Sequence, residues 1–187
     1  MKHGECTVRS MLRPTFLAEA LWTIDLDWLA SAGRASPRGI RGLILDLDNT
    51  LVDWNDTRVR PEVRRWIEAA HRKGMRLCLA SNALRAARVS AVAEDLKLLL
   101  VARAGKPFPV AFRRAMAALG TDPATTCAIG DQVFTDMLGA NWLGLMTILL
   151  TPLSRRESPH TRVIRLLERP LRRRWARELS RNANLRD

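Results

Sequence analysis

A chain of 187 residues, 47% of them hydrophobic, suffices for one domain with a sizeable core and is too short for two independent ones. No apolar run approaches the roughly 18 residues that span a bilayer, and charges occupy the amino terminus where a signal peptide needs an apolar stretch, so a cytoplasmic protein is expected. The formal charge is +12, and residues 153–187 hold eleven arginines against Glu157, Glu168, Glu178 and Asp187, a net of +7; such an excess implies a polyanionic partner, whether nucleic acid, an acidic membrane face or a phosphorylated substrate.

Residues 15–33, "TFLAEALWTIDLDWLASAG", are amphipathic and are expected to pack on a sheet as part of an N-terminal segment, 1–39. "GLILDLD" (42–48) reads as a short buried strand between turn signals. "PEVRRWIEAAHRKG" (61–74) opens on a proline and closes on a glycine, with Val63, Trp66, Ile67 and Ala70 at helical spacing. Strands are then predicted at 75–81, 97–102, 125–131 and 145–150, separated by helices at 82–96, 108–120 and 133–144. Cys78 and Cys127 lie inside these apolar runs and read as reduced, buried thiols; with Cys6 they form no CxxC pair, which fits a reducing compartment. His3, His71 and His160 are too scattered for a zinc site or a nucleophile–histidine pair.

Strands alternating with helices imply a three-layer α/β/α, Rossmann-like domain with a mainly parallel five-stranded sheet. Its core covers 40–150 within a single domain 1–152. Residues 153–187 follow as a basic, amphipathic helical extension. There Ile164, Leu167, Leu171, Trp175 and Leu179 recur at three- or four-residue spacing with arginines opposite, and Pro170 is expected to kink or divide the helix.

Ligands of such sheets bind at the carboxyl ends of the strands, and the polar residues of this chain collect there. Asp46 and Asp48 end the first predicted strand, Ser81 ends the second, Lys106 follows the third, and Asp131 ends the fourth, with Asp136 opening the next helix. Converging carboxylates need a cation or a proton. An oxygen-only set without His or Cys favours a hard ion, Mg²⁺ first, while a serine and a lysine at the same rim suit a phosphate. An EF-hand reading of "DLDNTLVDWNDT" fails, because Leu51 and Thr57 stand where that loop needs Gly and Glu.

These motifs resemble those of the haloacid-dehalogenase (HAD) superfamily of phosphohydrolases over residues 40–150. DxDxT is Asp46 to Thr50, the strand-ending Ser is Ser81, the Lys is Lys106 in "AGKP", and GDxxxxD is Gly130 to Asp136. Asn49, Asn82, Gln132, Thr135 and Asn141 resemble its YqeG-like branch, which includes phosphatidylglycerophosphate phosphatases, and "TRVIRLLER" is similar to that branch's basic segment after the last strand. The resemblance implies Asp46 as nucleophile and Asp48 as general acid and base. It also implies Thr50, Ser81, Asn82 and Lys106 as phosphate ligands, Mg²⁺ held by Asp46, Asp48 (main-chain carbonyl) and Asp131, and Asp136 in support.

Cap domains of that superfamily interrupt the chain between these motifs. Here only a short flap (51–60) fits, so no cap is expected and a large or surface-tethered substrate is favoured, a lipid head group before others. The arginine-rich tail would then meet an anionic membrane, placing the protein at the inner face; packing of its stripe on the sheet is the other reading. A phosphatase of polynucleotide ends or phosphoproteins is the alternative activity, and a non-enzymatic RNA-binding module the third, with nucleic acid the less favoured partner.

Overall fold

The sheet has six strands, β1 (Phe16–Ala18), β2 (Gly42–Leu45), β3 (Arg76–Ser81), β4 (Leu99–Ala102), β5 (Thr126–Gly130) and β6 (Met146–Leu150). They lie in the order β1-β6-β5-β2-β3-β4, every neighbour parallel. The structure, a computed structural model, describes residues 11–31, 39–155 and 157–183; residues 1–10 with His3 and Cys6, residues 32–38, and the side chains of His160 and Leu179 lie outside the described residues. The helices are α1 (Leu26–Ser31), α2 (Pro61–Arg72), α3 (Ala86–Asp95), α4 (Pro109–Leu119), α5 (Leu138–Trp142) and α6 (Pro159–Ala183).

The two-residue period of the strands splits their side chains between two cores. Leu43, Leu45, Leu77, Leu79, Cys127 and Ile129 face one side, where Val63, Trp66 and Ile67 of α2 and Val89 and Val92 of α3 cover them. Ile44, Cys78, Ala80 and Ala128 face the other, under Ala111, Phe112, Ala115 and Met116 of α4 and Ala140 of α5. Both main helices start with proline at their first position, where its missing N–H has no intrahelical partner to lose. Gly120 closes α4 at φ 59°, a left-handed cap that a side chain resists.

Three expectations are corrected. The sheet has a sixth strand, because Phe16–Ala18 pairs with Ile148–Leu150 at the edge instead of only packing on a face. Three residues are too few to show a period, and the partner lies some 130 positions away, so no local pattern reveals it. The segment predicted as a helix over 133–144 begins as a π-helical turn, Val133–Met137, before α5. Finally, α6 is continuous through Pro170, which sits on an exposed face, so the proline does not divide it.

The tail's buried face also differs from the predicted stripe. Trp175 packs with Val133, Met137 and Leu149, and Leu171 lies against them, but Leu167 is 63% exposed. Arg165, Glu168 and Arg172 occupy the inward face in its place, since their partners lie at the strand ends. Between Asp48 and Ser81 there is only a flap, closed by bridges from Val52 to Asp48 and Val59, and then α2, so no cap interrupts the core.

Candidate active site

The carboxyl end of β2 runs into a turn that Asn49 makes possible. Asn49 takes φ 60°, a left-handed conformation its short polar side chain tolerates, and its N–H donates to Val52 O at 2.7 Å. Its Oδ1 accepts from Ser154 N and Oγ, so the turn is tied to the loop after β6. Asp46 and Asp48 flank the start of this turn: Asp46 continues the ladder, donating its N–H to Ile129 O, and is buried, whereas Asp48 is half-buried.

Asp46, Asp131 and Asp136 offer carboxylate oxygens that all lie within 4.8 Å of one another. Lys106 Nζ sits among them, donating to Asp46 Oδ1 at 2.5 Å and Asp136 Oδ1 at 2.6 Å. The other oxygen of Asp136 accepts from Gln132 N at 3.1 Å. A side chain on Gly130 would place its Cβ 2.3 Å from that oxygen, so this position needs glycine for Asp136 to fold back over the strand end.

Burial pushes the Asp46 carboxyl up to about 7, with Asp136 adding to the shift and the Lys106 ammonium opposing it. Asp131 is pushed up to about 8 by burial, against the pull of Arg165 and with repulsion from Asp46 and Asp136. Burial pulls Lys106 down, but Asp136 and Asp46 outweigh it and hold the ammonium above its ordinary range. The two raised carboxyls and the retained ammonium describe one crowded anionic centre that a divalent cation would relieve. Asp131 Oδ1 is the buried atom that points to such an ion: it has no hydrogen-bond partner among the described residues, and the donor set is oxygen only.

Ser81, the last residue of β3, is buried, and its Oγ accepts from Ala83 N at 3.1 Å. Asn82 spans the main chain of Lys106, its Nδ2 donating to Lys106 O at 2.7 Å and its Oδ1 accepting from Lys106 N at 2.9 Å. That double bond fixes the loop from which the lysine reaches inward. Thr50 is fully buried, with its hydroxyl unpartnered among the described residues. Asp46, Asp48, Ser81, Asn82 and Lys106 line a pocket of about 620 Å³ with Trp54, Leu84, Arg85 and Arg88; Asp131, Asp136 and Thr50 stand behind that lining. Asn141 is elsewhere, bonded to Met11 O, Arg13 O and the Thr147 hydroxyl, where it anchors the chain before β1.

Two groups of residues at this site escape a reading of motifs. Arg88 of α3 donates to Asp48 Oδ2 at 2.6 Å and to Asp56 O at 2.9 Å, joining the flap to the half-buried aspartate. Arg165 of α6 donates to Asp131 Oδ2 and to Asp131 O, each at 2.5 Å, while Glu168 accepts from Val133 N at 2.7 Å. Arg88 has no sequence signal. The spacing of Arg165, Glu168, Arg172 and Trp175 is a signal, since it puts all four on one helical face.

A parallel α/β sheet carrying three carboxylates, a lysine and a serine at its carboxyl rim defines the class: a hydrolase core built for phosphoryl groups. A model of the HAD-hydrolase-like family matches residues 103–160. The chain is 36% identical over 132 residues to a protein of Bacillus subtilis (strain 168), "Probable phosphatase YqeG", covering 71% of this chain and 76% of that one. It is 29% identical over 151 residues to "Phosphatidylglycerophosphate phosphatase 1, chloroplastic/mitochondrial" of Arabidopsis thaliana, 75% of this chain but 43% of that longer protein. Solved proteins from Listeria monocytogenes serotype 4b (TM-score 0.52, 18% identity, 64% of this chain and 88% of that one) and Corynebacterium glutamicum (0.51, 23%, 63% and 89%) share the fold. The chain belongs to the HAD superfamily of phosphatases, and its substrate is phosphorylated. Among the described residues no helix is long and apolar enough to cross a membrane.

Proposed function

We propose that the protein is a Mg²⁺-dependent phosphomonoesterase working through an aspartyl-phosphate, with phosphatidylglycerophosphate as its first-choice substrate. The observation that carries the reaction is the gathering of Asp46, Asp131, Asp136 and Lys106 into one buried centre beneath an uncapped pocket. Asp46 attacks phosphorus, forming a carboxylate–phosphorus bond as the bond to the substrate alkoxide breaks. Asp48, at the pocket wall, gives its proton to that alkoxide and then takes one from the water that releases inorganic phosphate and regenerates Asp46. An incoming phosphate is a competing partner for the Arg88 guanidinium that bonds Asp48 Oδ2.

Lys106 and Ser81 receive the phosphoryl oxygens, with Thr50 and Asn82 in support; Asn82 acts by holding the Lys106 loop. Asp136 orients Lys106. Mg²⁺, held by Asp46, Asp131 and the Asp48 carbonyl, would neutralise charge on the phosphoryl oxygens. Lipid specificity is supported by the Arabidopsis relative and by a pocket with no cap to enclose a small metabolite. Exposed arginines on α6, among them Arg162, Arg169, Arg173 and Arg177, supply charge for the inner leaflet of a membrane.

The test is turnover of a panel: phosphatidylglycerophosphate in mixed micelles, a phosphopeptide, 5′-phosphorylated oligonucleotides and sugar phosphates, each with Mg²⁺ or EDTA. Highest kcat/KM on the lipid supports the reading, and a preference for any other member replaces it. Asp46→Asn should lose at least about 10⁴-fold of the rate while keeping the fold. Equal rates with that variant would refute the nucleophile.

A further inference from the structure

We propose that Arg165, reaching in from α6, is the positioning residue that presents Asp131 to the divalent cation, so that docking of the C-terminal helix and cation binding are one linked event. The inference rests on the cation site proposed above and assigns to the tail a task inside the enzyme. The guanidinium covers one side of Asp131 completely, with one nitrogen on Oδ2 and another on the main-chain oxygen. Arg172 adds a second bond to that main-chain oxygen at 2.9 Å. Oδ1 is left bare and buried, in a residue with no exposed surface. A carboxylate held this way offers one oxygen in one orientation.

The tail also clamps the chain that follows. Glu168 accepts from the N–H groups of Val133 and Phe134, the first two residues of the π-helical turn, and Trp175 packs under Val133 and Met137. Arg165 itself is held by Glu157 through Nε at 2.8 Å and approached by Glu168 at 3.4 Å. Arg165, Glu168 and Arg172 of α6 and Glu157 just before it cancel in charge, so this group of four orients Asp131 without adding net positive charge against the cation. Outer-shell partners of this kind fix ligand geometry, and their loss commonly weakens metal affinity 10–100-fold.

The experiment is calorimetric titration of the full chain with Mg²⁺. The paired change Arg165→Met with Glu157→Gln removes the guanidinium together with one of its carboxylate partners, leaves Glu168 to the Val133 and Phe134 amides, and frees Asp131 Oδ2. It should bind Mg²⁺ about 10–100-fold more weakly than the unaltered protein while still melting cooperatively in EDTA. Arg165→Lys keeps reach to Oδ2 but cannot fork to the main-chain oxygen, and should fall between the two. A folded pair variant with unweakened affinity overturns the inference.

The unaltered protein supplies a second reading whether or not the pair variant folds. Reciprocity requires Mg²⁺ to slow hydrogen exchange at the Val133 and Phe134 amides and along α6, relative to EDTA. Unchanged protection there, with Mg²⁺ bound, overturns the linkage. Asp131→Asn separates the two proposals: if the unaltered chain binds no Mg²⁺, or if Asp131→Asn binds it equally well, the cation site fails and this inference fails with it. If Asp131→Asn abolishes binding and the pair variant does not weaken it, only the role of Arg165 fails.

Discussion

Lys106→Met is the most informative single perturbation of the buried centre. The ammonium makes two short ion pairs, to Asp46 and Asp136, with its own side chain 3% exposed and those of its partners 10% and 4%. Removing one partner of a buried pair leaves an uncompensated charge and costs about 3–5 kcal/mol. In a domain of this length each kcal/mol moves the melting temperature by about 2–4 °C, so the metal-free variant should melt roughly 6–20 °C below the unaltered protein. The deficit depends on pH in a definite direction. Burial already holds the Asp46 carboxyl near 7, and without the lysine it rises further. A group whose folded pKa is raised contributes stability at low pH that disappears as pH climbs through that value. The loss in Lys106→Met is therefore smaller at pH 6 than at pH 8.5, growing by up to about 1.4 kcal/mol per pH unit for the one proton involved. Adding Asp136→Asn removes one of the stranded carboxylates and should return part of the stability. Thermal unfolding followed by circular dichroism in EDTA at the two pH values is the assay. Melting curves that superimpose on those of the unaltered protein at both values would refute the buried ion pairs.

Three further outcomes follow from the same geometry. Asp46 and Asp131 both sit above the ordinary carboxyl range, so the metal-free protein should lose stability from pH 6 to pH 9, and Mg²⁺ uptake near pH 7 should release protons. Calorimetry in two buffers of different ionisation enthalpy reads that release directly. Trp175→Ala empties the small core under α6 and should cost about 3–5 kcal/mol in urea unfolding, a size that marks the helix as part of the folded unit. Changing the exposed Arg169, Arg173 and Arg177 to Gln removes three charges worth about 1 kcal/mol each beside an anionic leaflet. Flotation with phosphatidylglycerol vesicles should weaken on the order of 100-fold at low salt, while turnover of a soluble aryl phosphate stays unchanged.

The rim of the site was legible in the sequence for a physical reason. Asp46, Ser81 and Asp131 each stop an otherwise apolar run, and a parallel sheet sends every such stop to the same edge. Asp136 and Lys106 were legible from their distance behind those stops. By contrast β1 was hidden, since an edge strand of three residues carries no period and its ladder partner is remote in the chain. Arg88 was hidden because only the fold brings the first turn of α3 over the flap.

The tail shows where composition misleads. Its net charge suggests a surface facing outward, and counting apolar residues places Leu167 in the apolar stripe. Burial of a helix face is decided by what lies opposite, however, and opposite α6 lie a buried carboxylate, its main-chain oxygen and the two free N–H groups that open the π-helical turn. Leucine facing that surface would leave each of them unsatisfied, at a cost of about 1–3 kcal/mol apiece. Arginine and glutamate answer all of them, so the polar face turns inward while Val163, Leu166 and Leu167 stay at the surface. A basic helix can thus turn Arg165 and Arg172 inward onto Asp131 while Arg162, Arg169, Arg173 and Arg177 stay at the surface.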